Sequence, residues 1–408
     1  MRFCTKLLHG DCGPDGQTGA TNTPIYQSVA FRRQTAAELE QIFAGSRPGF
    51  VYTRLNNPTV EAFERRLALL EGGAAAVACA SGMAAVSLAV LNIAGSGDEI
   101  VAGSGTFGGT YSLFRNLEDF GIRTRYARDA SVAAFAEGLS GRTKAIFAET
   151  IGNPKLDVPD IAALAELAHS RDIPLIVDST TTTPYLVNPL SLGADIVVHS
   201  TSKYLNGSGN SIGGIVVDGG RFPWDETRFP KLRDYKKFGP FAYVAKLRAG
   251  LHKDLGPCLS PFNAFLTSTG LETLALRMER CCDSALRLAA FLAASGKVAA
   301  VNYPGLADNP YHAVAARQFG GRFGAVLTAR LGSKERAFAV LDNLRYVLDL
   351  ANIGDARTLA IHPASTIYLH SSEAEKEQAG VYPDLIRISV GLEDYEDLAE
   401  DFAAALAV

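Results

Sequence analysis

Short, continuously apolar runs at residues 99–102, 144–148, 174–177, 195–199 and 214–217 recur between stretches of helical periodicity. A strand with one wet face alternates apolar and polar residues. An unbroken apolar run implies a strand covered on both faces, as in a parallel sheet flanked by crossover helices. Helical patterns at 59–71, 111–120 and 159–171 fall between the runs and supply that cover. The expected class is therefore α/β, with a mostly parallel, doubly wound sheet over residues 58–255.

The remainder has other rhythms. Residues 1–57 are polar and irregular, rich in Thr, Asn and Arg, and read as an arm rather than a core. Residues 256–408 carry a long amphipathic pattern at 271–295, then strand-like 299–303, helical 313–319, strand-like 324–330, helical 333–344 and strand-like 385–390. That pattern predicts a smaller α+β domain. A chain of 408 residues, 47% of them apolar, has ample material for both.

The composition narrows the function classes. A formal net charge of −4 without a basic run gives nucleic acid or an anionic membrane no electrostatic footing. Residues 72–97 hold no charged side chain and are long enough to suggest a membrane span. However, Ser81-Gly82 interrupts them and much of the rest is Ala, so a buried strand at 75–79, a turn and a buried helix near 83–93 are expected instead. The six cysteines form no C-x-x-C pair, so neither a disulfide framework nor a metal site is expected. The opening MRFCTKLLHG lacks the apolar core of a signal peptide, and a cytoplasmic location is expected.

Ligands of open α/β sheets bind beyond the carboxyl ends of the strands. There the sequence places Asp178, Glu149-Thr150 leading to Asn153, His199-Ser200 leading to Ser202-Lys203, and Ser81-Gly82-Met83 at a helix start. Taken singly, each has an ordinary reading as a cap, a loop residue or a surface charge. Together they match pyridoxal 5′-phosphate (PLP). Its aldehyde needs a lysine amine, its ring nitrogen a carboxylate, and its phosphate a helix N-terminus with hydroxyls. From the residues alone, a nucleotide or phosphosugar site remains the rival. It has only the fragment GSGTFGG at 103–109, which completes no nucleotide-binding motif.

Longer stretches add a resemblance. Tyr52-Thr53-Arg54 with Asn57-Pro58-Thr59, Ser81-Gly82-Met83, VDSTTTTPYL at 177–186, HSTSKY at 199–204, SPFNAFL at 260–266, GLETL at 270–274, HPAST at 362–366 and RISVGLED at 387–394 resemble the Cys/Met-metabolism family of PLP enzymes. The likeness runs over nearly the whole chain and implies a fold-type I PLP enzyme, usually a tetramer built as a dimer of dimers. It implies Lys203 as the residue bonded to the cofactor and Asp178 as the partner of its ring nitrogen. Ser81, Gly82, Met83, Ser200 and Ser202 would lie around the phosphate, and Tyr52 and Arg54 would reach the phosphate of a neighbouring subunit. Arg387 would clamp the substrate carboxylate, with Asn153 at the PLP 3′-oxygen or that carboxylate and Asn352 near the substrate. Phe107 stands where many members carry Tyr. It can stack on the cofactor ring but cannot carry a proton, so acid–base work is expected to fall to Lys203, with Tyr52 as a helper.

Within the family, YLNGSGNSIGG after Lys203, Asn352-Ile353-Gly354-Asp355, and Gly109 where methionine γ-lyases carry Cys all resemble the O-acetylhomoserine sulfhydrylases. The implied reaction is γ-replacement on an O-acylhomoserine by sulfide or a thiol. The alternatives are a γ-lyase reaction, an O-succinyl substrate and a non-sulfur nucleophile.

Overall fold

A computed structural model describes residues 1–10, 15, 16 and 18–408; Cys12 lies outside them. The large sheet holds β1 (Ala75–Cys79), β2 (Glu99–Ala102), β3 (Arg123–Tyr126), β4 (Thr143–Glu149), β5 (Leu175–Asp178), β6 (Ile196–Ser200) and β7 (Gly214–Asp218), in the order β1-β7-β6-β5-β4-β2-β3. Its central pairs, β2 with β3 and β4, β4 with β5, and β5 with β6, are parallel. Only β7 runs against its neighbours β1 and β6.

Both faces are covered, as the unbroken apolar runs require. Ile176 and Val198 pack with Val86 and Ala89 of the helix Gly82–Leu91. Their chain neighbours Leu175 and Val177 point the other way, against Leu164 and Ala165 of the helix Ile161–His169. The helix Pro58–Glu71 shows why the sequence starts and stops where it does. The Asn57 side chain accepts from Thr59 N at 3.0 Å, proline occupies the first turn, and Gly72 ends the helix at φ 70°.

The second sheet holds β8 (Ala300–Asn302), β9 (Val326–Arg330), β10 (Leu348–Asp349), β11 (Leu359–Ile361) and β12 (Leu385–Ser389), in the order β10-β11-β12-β9-β8. In β12, Arg387 lies between Thr328 of β9 and Ile361 of β11.

Three expectations need correction. The long helix expected at 271–295 is present as Leu274–Ala294, starting three residues late because a separate helix, Pro261–Glu272, ends at Thr273 (φ −104°, ψ 6°). The Gly270 carbonyl there accepts from Arg277, and Gly270 packs so tightly on Asn206 that a Cβ would lie 2.2 Å from its carbonyl oxygen. Strand β3 was not anticipated, because Arg-Thr-Arg-Tyr at a sheet edge carries no apolar run. The first 57 residues are less irregular than expected, with helices Phe3–His9 and Ala36–Phe43. No helix among the described residues is long and apolar enough to cross a membrane. The uncharged stretch 72–97 holds β1 and the ten-residue helix Gly82–Leu91.

Candidate active site

The carboxyl ends of β1, β4, β5 and β6 open into a cavity of about 460 Å³. Every predicted site residue except Tyr52 and Arg54 lines it: Ser81, Gly82, Met83, Phe107, Asn153, Asp178, Ser200, Ser202, Lys203, Asn352 and Arg387. A larger, open cleft of about 860 Å³, lined in part by His169, Asp195 and Arg228, gathers no comparable set of groups.

Lys203 lies in the turn after β6, and its Nζ donates to Asn352 Oδ1 at 2.5 Å. Burial, aided by the nearby Arg387 charge, lowers its amine to about 8. An amine so placed is neutral far more often than a surface lysine, as a nucleophile or base must be.

Asp178 closes β5, one strand over. Thr180 N donates to its Oδ1 at 2.9 Å, the local turn expected of Asp followed two residues later by Thr. Burial pushes its carboxyl upward, opposed by the bonds from Thr180 and by His199. Such a carboxylate gains most from a cation beside it, and a protonated pyridine nitrogen would be one.

A phosphate-sized anion has its own cradle. Ser81 caps the helix Gly82–Leu91 by accepting from Ala84 N at 3.1 Å, so the positive end of the helix faces the cavity. Gly82 is needed there, because a Cβ would lie 2.6 Å from Ser200 Cβ and 2.9 Å from Ser200 Oγ. The Ser202 hydroxyl is engaged with Gly213, donating to its carbonyl at 3.2 Å and accepting from its N–H at 3.0 Å. Ser200, against the helix start, is thus the better placed hydroxyl.

Arg387 is buried at 4% exposure. It donates to Asn153 Oδ1 at 3.1 Å and to the Asn352 carbonyl at 3.0 Å, while its Nε is buried without a partner. Burial lowers it to about 10, still a cation at neutral pH. A buried guanidinium with an unused donor invites a carboxylate.

Tyr52 and Arg54 stand elsewhere in the same chain. Tyr52 is 41% exposed, with the Arg54 guanidinium 5.3 Å from its ring centre, and Arg54 Nη1 donates to the Lys253 carbonyl at 2.5 Å. The sequence reading gave no role to Glu149 or Thr180. Glu149 lines the cavity and accepts from Phe107 N at 2.6 Å, and Thr180 Oγ1 accepts from Ser200 N at 2.8 Å. Glu149 was already legible at its strand end and Thr180 lies two residues past β5; what could not be read is their partners, distant in sequence.

Amine, half-buried carboxylate, helix N-terminus and open guanidinium therefore face one cavity, and this donor set fits PLP. The comparisons agree. The chain is 43% identical to an O-acetyl-L-homoserine sulfhydrylase of Leptospira meyeri, over 98% of this chain and 96% of that protein. It is 40% identical to a homocysteine synthase of Schizosaccharomyces pombe, over 100% and 98%. A crystal structure of a Campylobacter jejuni protein described as a putative O-acetylhomoserine (thiol)-lyase, with N′-pyridoxyl-lysine-5′-monophosphate, superposes with a TM-score of 0.94 at 33% identity, covering all of both chains. Residues 4–407 match the family described as Cys/Met metabolism PLP-dependent enzyme, and the chain belongs to that family.

Proposed function

We propose that this chain catalyses γ-replacement on O-acetylhomoserine, with sulfide as nucleophile, giving homocysteine and acetate. The observation that carries this reading is full-length likeness, at 40–43% identity, to proteins named for that chemistry, on a site with the matching groups in place.

PLP, when bound, withdraws electron density from the substrate Cα and so makes loss of its proton feasible. The protein does the rest. Lys203 holds the cofactor before substrate arrives; its neutral amine then takes the Cα proton. Asp178 would keep the ring nitrogen protonated, and Ser81, Gly82, Met83 and Ser200 would hold the phosphate, with Ser202 beside them held by Gly213. Arg387 binds the substrate carboxylate with the donor left free by Asn153 and Asn352. Asn153 orients that fork, and Asn352, bonded to the Lys203 amine, keeps it aimed. A proton leaves Cβ, the Cγ–O bond breaks to release acetate, and sulfide forms the Cγ–S bond. Protons returned to Cβ and Cα complete homocysteine. Phe107 would pack against the cofactor ring and cannot move a proton, so Lys203 would carry that traffic, with Tyr52 of a neighbouring copy as helper.

That last role rests on assembly. Val29 and Phe43, both in the first 57 residues, are 65% and 68% exposed, and a second copy of the chain would cover such side chains. We read residues 1–57 as an arm carrying Tyr52 and Arg54 to a partner's phosphate site, beside a PLP domain at 58–255 and a smaller domain at 256–408. The assembly is a homotetramer of two dimers in the cytoplasm.

The test is a product assay of the purified protein with O-acetylhomoserine, with and without sulfide. Homocysteine that depends on sulfide is expected. A main product of 2-oxobutyrate and ammonia without sulfide would replace this reading with a γ-lyase, and turnover only with the O-succinyl ester or a non-sulfur nucleophile would correct the substrates.

A further inference from the structure

The helix Gly108–Glu118 begins in an unusual way. Its N-cap is Phe107, which has no side-chain acceptor, and its first turn contains no acidic residue. Glu149, at the end of β4, supplies what is missing: its Oε1 accepts from Phe107 N at 2.6 Å across a gap of 42 residues. This is the reach-back bond of a capping box, delivered from another element.

The position is an expensive one for a carboxyl group. Glu149 is 8% exposed and lies in register with Asp178 on the adjacent strand. Burial first, and then the Asp178 charge, push it well above the usual carboxylate range, against the pull of the Phe107 N–H. A buried acid beside a half-buried one is costly to a fold unless it does something that apolar packing cannot.

The Phe107 ring shows what that is. It lines the cavity, and a Cβ on Gly109 would lie 2.6 Å from its Cε1 and 3.3 Å from the Met83 sulfur. On the other side of the turn, a Cβ on Gly108 would meet the Tyr368 ring and hydroxyl at 3.2 Å. The two glycines that follow Phe107 leave the turn soft, and Glu149 ties the residue just before them at its N–H.

We propose that Glu149 is a positioning residue that fixes the Phe107 ring over the cofactor plane by anchoring the start of the helix Gly108–Glu118. The role needs a hydrogen-bond acceptor and not a charge. It rests on the reading that Phe107 stacks on PLP.

The test uses purified holoenzyme and apoenzyme, with the PLP dissociation constant and the visible circular dichroism of bound cofactor as readouts. Glu149→Ala is expected to weaken PLP binding about tenfold, the effect of one lost hydrogen bond, and to diminish the dichroic band. Glu149→Gln, which keeps an acceptor, is expected to stay within about twofold of the parent on the same hydrogen-bond scale. Adding Glu149→Ala to Phe107→Ala is expected to lose nothing more, because the anchored ring is already gone. If Glu149→Ala does not fold, Glu149→Leu carries the same expectation. Parental affinity and dichroism in the Ala or Leu variant would overturn the proposal. So would a Glu149→Gln variant with parental dichroism but a collapsed rate and a displaced pH profile, which would make Glu149 a proton carrier. Phe107→Ala with parental PLP affinity would instead sink the stacking reading and leave the anchor with nothing to position.

Discussion

An amine that attacks an aldehyde must first lose its proton, and for Lys203 the protein arranges this by burial and by the neighbouring Arg387 charge. The pH dependence follows with a definite sign. Below about 8 the amine is mostly protonated and capture of PLP by the apoprotein slows roughly tenfold per unit; above it the rate levels off. Stopped-flow absorbance on mixing apoprotein with PLP, from acid to alkaline pH, measures that midpoint. Replacing Arg387 by a neutral residue removes one of the two causes, so the midpoint should move up toward that of an ordinary lysine. Arg387→Lys probes the other function of this side chain. It keeps the charge but loses the planar fork, and it leaves Asn153 Oδ1 and the Asn352 carbonyl short of a donor. A loss of about 2 kcal/mol is expected, or roughly a 30-fold rise in KM for the amino-acid substrate with a smaller change in kcat. An unchanged KM would remove Arg387 from the carboxylate site. At this scale Asp178 was legible because it directly follows an apolar run, which puts it at a strand's carboxyl end, and Lys203 because it lies in the turn just past another such strand. Glu149 follows one too, but its bond to Phe107 and its proximity to Asp178 arise from strand order, which no local pattern encodes.

The elements were legible in proportion to their burial. Strand β2 fits its apolar run residue for residue, and β4 extends its run by one residue at each end. Edge strand β3, with charged and half-buried side chains, left no such trace. Helix breaks set by tertiary contact, such as Thr273, were equally hidden, since the periodic pattern runs through them. The junction between the helix Gly82–Leu91 and β6 shows how closely elements must meet to form the site. Ser200 backbone Cα lies 2.9 Å from where a Gly82 Cβ would stand, and backbone does not swing aside as a side-chain end does. Gly82→Ala should therefore push the helix start off the strand end and widen the anion cradle. Overpacking of this kind costs about 1–3 kcal/mol, so a roughly 10- to 100-fold weaker PLP affinity is expected, along with a fall in melting temperature. Titration of the apoprotein with PLP, and with inorganic phosphate as competitor, separates cradle damage from general destabilisation. Equal loss of phosphate and PLP affinity points to the cradle, while parental affinity for both would show that the helix start accommodates the methyl group.

The whole molecule raises a question that one chain does not answer by itself. The predicted phosphate-site residues divide into two sets: Ser81, Gly82, Met83, Ser200 and Ser202 around the cavity, and Tyr52 with Arg54 away from it. If the arm of one copy completes the site of another, catalytic competence belongs to the assembly, and two dead variants can rescue each other. Consider Lys203→Ala and Arg54→Ala, each expected to be inactive or nearly so. In a mixed dimer, one site lacks both Lys203 and a working arm. The other keeps its own Lys203 and receives an intact Arg54 from the partner. With random pairing, about half of the dimers are mixed and each has one good site, so about a quarter of parental activity should return. Co-expression with two affinity tags isolates the mixed species, and in that fraction about half of parental activity per dimer is expected on the same count of sites. Were Arg54 to serve its own chain, the two lesions would fall on different sites, each would abolish the site it sits in, and the mixed dimer would be as dead as its parents. The same preparation fixes the role of Tyr52. Tyr52→Phe paired with Lys203→Ala retains a parental ring at the good site, so activity there should match the Arg54→Ala pairing if Tyr52 acts across the subunit boundary, and fall with it if Tyr52 acts within its own chain.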